Sequence, residues 1–166
     1  MNKKLQILSI LFVMAFLFMT SVPALAGPPE AAAGLWQYRT FILEVREAGC
    51  NTFLKTLEDG LWTGTFDGIS TEDGTVVIHC SGAWSFNAIV SFEGSVAGRN
   101  GTLTMSVVGS RPDGSADWEG KYVILSGTGE LDNLRGQGIW WGPGAPAPGV
   151  WGDIEYEGSY HFEPAD

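Results

Sequence analysis

Polar and apolar residues alternate most clearly at the carboxyl end, where Ile154, Tyr156, Gly158, Tyr160 and Phe162 interleave with Asp153, Glu155, Glu157, Ser159, His161 and Glu163. A period of two turns one set toward a core and the other toward water, which is the signature of a half-buried strand. Val90, Phe92, Gly94 and Val96 repeat the pattern against Ser91, Glu93 and Ser95, and Leu103, Met105 and Val107 repeat it against Thr102, Thr104 and Ser106. Gly98-Arg-Asn-Gly101 makes the hairpin between these two runs. Other strand-like runs are Leu35–Arg46, Asn51–Leu57, Leu61–Ile69, Thr75–Ser81, Trp118–Leu125, Gln137–Trp141 and Gly152–Phe162, with Ala83–Phe86 continuing into the Val90 strand through a bulge. Asp59-Gly60, Asp67-Gly68, Asp73-Gly74, Asn100-Gly101 and Asp113-Gly114 read as tight-turn dipeptides between strands. The pattern predicts an all-β fold: a single closed or nearly closed antiparallel barrel of about eight to ten strands, with little helix.

Closure matters because an open sheet exposes its edges. Leu35–Val45 is apolar on both faces, with Trp36, Tyr38 and Ile42 on one and Leu35, Phe41, Leu43 and Val45 on the other. Its outer face therefore needs a cover, which a leader, a loop or a second subunit in a homo-oligomer would provide.

The amino terminus departs from this pattern. Lys3-Lys4 precede an apolar run from Leu5 to Met19, and Ala24-x-Ala26 follows Pro23. These are the parts of a secretory signal peptide spanning residues 1–26, with cleavage before Gly27. The alternative, an uncleaved anchor, is disfavoured by the shortness of the run, since a spanning helix needs about 20 apolar residues. Residues 27–33, small and Pro-rich, read as a flexible leader, and residues 34–166 as one barrel domain. The expected location is outside the cytoplasm, secreted or periplasmic, with no membrane insertion after cleavage.

The whole chain carries a net charge of −10, and residues 27–166 carry −12, because Lys3 and Lys4 precede the cut and all 19 acidic residues follow it. Such a surface repels phosphate backbones, so nucleic acid and anionic membranes are poor partners. The acidic residues are dispersed, and Asp113-Gly-Ser-Ala-Asp117 lacks the ligand series of a calcium loop. With two histidines, His79 and His161, and no His-x-x-x-His, no metal site is expected. Cys50 and Cys80 are the only cysteines, and in an exported chain an even count reads as one disulfide. A Cys80 nucleophile activated by His79 is the rival, but strand neighbours point to opposite faces.

Ser126-Gly-Thr-Gly-Glu-Leu-Asp-Asn-Leu-Arg-Gly-Gln-Gly138 joins two strand-like runs through a glycine-spaced turn. Gly127 and Gly129, flanking Thr128, permit positive φ, Leu131 and Leu134 give an apolar underside, and Gly136 and Gly138 let the returning strand coil. Gly127-x-Gly129 followed by Asp132 does not complete a dinucleotide fingerprint, and no cofactor is expected. The segment resembles the Gly-Thr-Gly turn of dirigent proteins and the matching turn of allene oxide cyclases. It is still more similar to a bacterial domain family of unknown function in that barrel superfamily. This last resemblance spans about Leu61 to Phe162 and includes Trp62-Thr-Gly-Thr-Phe66, Phe92-Glu-Gly-Ser-Val-Ala-Gly-Arg-Asn-Gly-Thr-Leu103 and Tyr156-Glu-Gly-Ser-Tyr160. It implies a barrel and carries over no catalytic residue. Gly34-Leu-Trp36 resembles the first-strand Gly-x-Trp of lipocalins, a three-residue match.

For acid–base chemistry the candidate is Glu44, which shares strand parity with Trp36, Tyr38 and Ile42 and has Arg39 and Arg46 nearby; the alternative is a solvated side chain past the strand end. The stronger feature is aromatic. Trp140-Trp-Gly-Pro-Gly-Ala-Pro-Ala-Pro-Gly-Val-Trp151 is a stiff connection with Trp140, Trp141 and Trp151 at its ends, suited to a lid or to a plug. Trp62, Trp84, Trp118 and Tyr122 can line the interior below it. The expected function is binding of a small apolar, aromatic or glycan ligand without catalysis. The alternatives are an isomerase or cyclase acting on a ligand inside the barrel, and a filled barrel acting through its outer surface.

Overall fold

The computed structural model describes residues 27–164. The signal peptide read over residues 1–26 lies outside the described residues. The described chain forms eight strands and no helix: β1 Glu30–Ala48, β2 Asn51–Gly64, β3 Phe66–Ile78, β4 Trp84–Val96, β5 Arg99–Arg111, β6 Asp117–Gly129, β7 Leu134–Pro143 and β8 Gly152–Phe162. Each strand pairs antiparallel with the next, and β8 returns to β1 to close the barrel. The strands are long because four of the five dipeptides read as turns lie inside them. Only Asp113-Gly114 is a turn; Asp59-Gly60 is in β2, Asp67-Gly68 and Asp73-Gly74 are in β3, and Asn100-Gly101 is in β5.

Packing explains two of these glycines. A Cβ on Gly60 would collide with the Ser70 hydroxyl and come within 2.7 Å of Trp36 Nε1. A Cβ on Gly74 would lie 2.6 Å from Thr56 Oγ1 and 2.8 Å from the Phe86 ring. Both positions face inward, where bulky side chains cross a narrow interior, so the missing side chain serves close approach and not chain reversal.

β1 begins earlier than the sequence indicates. Residues 30–33, assigned to the leader, pair with β8 from Glu30 opposite Tyr160 to Ala33 opposite Glu157, and Ala32 is buried. Pairing there covers what would otherwise be an exposed edge of β8. On the outer face of β1, the β7–β8 loop reaches across: Gly149 N donates to Thr40 O at 2.8 Å, and Gly149 sits beside Phe41. Leu43 remains 56% exposed there, while Val45, paired with the inward-facing Leu54 beyond the bulge, is 58% exposed at the rim.

The turn ends of the barrel are unlike. At the end holding the β6–β7 turn, Leu131 and Leu134 are fully buried beside Phe66, Phe92, Leu103, Tyr122 and Tyr156. Rings there meet edge-on or tilted, as Phe66 does with Tyr122 at 6.0 Å and with Tyr156 at 5.4 Å, so this end is a packed aromatic core. The Gly-Thr-Gly segment closes it. Positive φ in this segment falls on Gly129 alone (φ 66°). Gly127 was expected to share it but is a ladder residue opposite Leu103, with the Leu131 carbonyl against its α-carbon; Gly136 and Gly138 are likewise paired strand residues, opposite Tyr160 and Gly158. Gly129→Val places a β-branched side chain at positive φ, with its Cβ 3.1 Å from Asn100 O. It is expected to lower stability by about 1–3 kcal/mol. An unchanged melting temperature would show that the turn tolerates the side chain.

Candidate functional site

The opposite end of the barrel is hollow. It is rimmed by the β1–β2 turn, the β3–β4 and β5–β6 connections and the β7–β8 loop, and a cavity of about 300 Å³ opens there. Its walls arise from the inward parity of each strand: Trp36, Tyr38 and Ile42 from β1, Leu54 and Glu58 from β2, Val76 from β3, Trp84 and Phe86 from β4, Arg111 from β5, Trp118 from β6, Trp140 from β7 and Ile154 from β8. Ala145, Pro146, Ala147 and Pro148 of the β7–β8 loop lie across it, tied by Ala145 N donating to Tyr38 Oη at 2.9 Å. Burial pushes the Tyr38 phenol up to about 12, against the lowering effect of that bond, so it stays neutral. The Cys50–Cys80 disulfide, Cα–Cα 5.1 Å, staples the β1–β2 turn to the β3–β4 connection on the rim.

Two carboxyl groups sit side by side toward the middle of the barrel. Glu58 of β2 and Glu72 of β3 are cross-strand partners, 3% and 0% exposed. Glu58 Oε1 accepts from Thr40 Oγ1 at 3.0 Å and faces the cavity. Glu72 Oε1 accepts from Ser70 Oγ at 3.2 Å, and Ser70 Oγ accepts from Trp62 Nε1 at 2.9 Å. Burial raises Glu58 to about 7, with the Thr40 bond opposing. Burial raises Glu72 well above the carboxylate range, and the adjacent Glu58 charge pushes the same way. Two buried acids this close cannot both ionise cheaply, so the pair keeps a proton at neutral pH. Glu72 Oε2, Thr56 Oγ1 and Trp36 Nε1 are buried without a hydrogen-bond partner among the described residues. Such atoms are costly unless something else bonds them.

The residues singled out from sequence divide three ways. Trp84, Trp118 and Trp140 line the cavity. Trp62 and Tyr122 lie in the packed interior: Trp62 stacks on Trp36 at 5.0 Å, and Tyr122 meets Phe66 and Tyr156 edge-on. Trp141 and Trp151 do not frame the mouth. Trp141 points out of the barrel beside Val108 and Ile139, and Trp151 stacks under the Arg39 guanidinium at 4.9 Å. They differ from Trp140 because strand parity turns Trp141 outward and the loop carries Trp151 around to the outer face of β1.

Glu44 is also outside. The ladder pairs Ile42 with Thr56 but Glu44 with Lys55, so Leu43 is an extra residue and the bulge moves Glu44 to the exposed side. Arg39 pairs with Asp59 at 2.8 Å, and Arg46 lies over the Phe53 ring. The sequence hides the buried acids because an Asp-Gly pair with the composition of a turn follows each of them. With that reading removed, Leu54-x-Thr56-x-Glu58-x-Gly60-x-Trp62 and Ser70-x-Glu72-x-Gly74-x-Val76 show both acids in line with core residues. His79 bonds Ser85 Oγ through Nε2 at 2.9 Å at the surface, and no three His, Cys, Asp or Glu side chains cluster as a metal site among the described residues.

An up-and-down barrel packed at one end and hollow at the other defines the class, an eight-stranded antiparallel β-barrel with one chamber. The chain belongs to the family described as Protein of unknown function (DUF3224), whose model matches residues 51–140. A solved structure of a DUF3224 family protein of unknown function, from Shewanella oneidensis MR-1, superimposes with a TM-score of 0.61 at 20% identity. The match covers 83% of this chain and 100% of that one, and it shows a shared fold. No curated protein matches the chain.

Proposed function

We propose that the protein is an exported barrel that takes one small, largely apolar or aromatic molecule, or a sugar ring, into its open end. The observation that carries this reading is the cavity of about 300 Å³ walled by Trp36, Tyr38, Trp84, Phe86, Trp118 and Trp140. That volume falls at the lower end of ligand pockets, and a mostly apolar wall with a few polar groups is their usual composition. The disulfide supports export, since such bonds persist in oxidising compartments. The test is titration of wild-type protein with neutral 2-naphthamide, read by indole emission, together with native mass spectrometry of protein from its own host. Trp118→Ala is expected to weaken binding by about 1–3 kcal/mol, and Trp151→Ala to leave it unchanged because that ring is outside. If neither a naphthyl probe nor a sugar binds and nothing co-purifies, the barrel works through its exterior.

Glu58 favours a second reading, acid–base catalysis on the bound molecule in the manner of an isomerase or cyclase. A cavity-facing carboxyl group poised near 7 exchanges protons readily in both directions, as such chemistry requires.

A further inference from the structure

We propose that the molecule held in the chamber is an organic acid, its carboxylate forked by the Arg111 guanidinium at the mouth and its apolar body directed toward Glu58. This inference rests on the chamber being a binding site, and it adds the chemical class of the ligand.

Arg111 ends β5 and lines the cavity. Its guanidinium carbon lies 4.0 Å from the centre of the Trp84 ring and 5.4 Å from that of Trp118. Stacking engages the flat face of the guanidinium and leaves its N–H edge available, the edge that bonds a carboxylate in a bidentate fork. No carboxylate among the described residues takes that place: the ion pairs there are Arg39 with Asp59 and Arg135 with Glu163. Arg46 and Arg99 also ride on rings, over Phe53 and Phe162, but neither lines the chamber. What sets Arg111 apart from Arg46 and Arg99 is its place: among the described residues it is the one cationic side chain in the cavity wall.

The rest of the chamber agrees with an anionic head and an apolar tail. A cationic ligand would find the Trp84 and Trp118 faces already occupied by positive charge. The acids toward the inner end do not oppose an anion at acidic pH, because burial keeps Glu72 protonated and raises Glu58 to about 7. The negative surface beyond the mouth is screened over about 8 Å at physiological salt, so the local field at the Arg111 edge decides. A cavity of about 150 Å³ accommodates benzene, so one near 300 Å³ holds a body of about two rings.

Three probes of one shape test this on the wild-type protein: 2-naphthoate, neutral 2-naphthamide and 2-naphthylmethylammonium, titrated by calorimetry at pH 6. The acid is expected to bind at least ten-fold more tightly than the amide, with the ammonium weakest. Arg111→Gln is expected to abolish the preference for the acid while keeping affinity for the amide, and Arg111→Lys to retain part of it, because an ammonium keeps the charge without the fork. If the amide binds as tightly as the acid in the wild type, or the ammonium binds best, the acid class is wrong while the chamber remains a binding site. A preference for the acid that survives Arg111→Gln overturns Arg111 as the anchor. If none of the three binds, the binding reading fails and this inference with it. Should Arg111→Gln not fold, the wild-type comparison still decides the class.

Discussion

Reducing the Cys50–Cys80 bond is expected to lower stability by about 3–4 kcal/mol, the loop-closure entropy of cross-linking residues 30 apart. That is a large share of the 5–15 kcal/mol typical of a whole domain. The bond sits on the rim of the open end, where the β1–β2 turn and the β3–β4 connection otherwise meet through a few hydrogen bonds, among them Cys80 N to Asn51 Oδ1 at 3.0 Å. The far end has its packed aromatic core to hold it, whereas the rim encloses the cavity and has less packing to lose before it opens. Urea unfolding with and without reductant measures the effect, and Cys50→Ser with Cys80→Ser should reproduce it. An unfolding midpoint indifferent to reductant would mean that the rim is held by its strands alone.

Stability is also expected to fall as pH rises from 5 to 8. Glu58 and Glu72 both bind their protons more tightly in the folded chain than an ordinary glutamate does, because burial penalises the charged form. The stabilisation is therefore fully present below the usual carboxylate pKa and is lost as pH climbs through the folded value, about 7 for Glu58. For Glu58 alone the loss between pH 5 and pH 8 is about 2–3 kcal/mol. Glu72 is held protonated more strongly and extends the decline to higher pH. Paired urea curves at the two pH values give the difference, and Glu58→Gln should flatten it by replacing the titrating carboxyl with an isosteric neutral amide. Stability that rises across this range would show that the two acids are not buried together. An occupied chamber should raise stability at either pH, since a ligand that binds the folded form adds its own linkage.

The strand pattern alone determined the all-β class and the closed antiparallel barrel, and the even cysteine count in a chain read as exported determined the bond. Alternation at Ile154–Phe162 or Leu103–Val107 follows from the two-residue repeat of an extended chain with one face in a core, and it needs no knowledge of neighbours. Leu131 and Leu134 were legible in the same way, as an apolar underside to a glycine turn.

Only the tertiary structure decided which glycines turn the chain and which admit a ring. Asp73-Gly74 has the composition of a hairpin, yet Gly74 lies mid-strand because the Phe86 ring crosses the barrel above it, a contact between strands that no local rule contains. The same holds for Glu44, whose exposure depends on one bulged residue at Leu43, and for Trp141 and Trp151, whose outward placement depends on strand parity and the path of a loop. Glu58 and Arg111 come from different strands, β2 and β5, and Glu72 stands behind Glu58 on β3. The meeting of Glu58 and Arg111 around one cavity is a property of closure, and closure is set by register across all eight strands together.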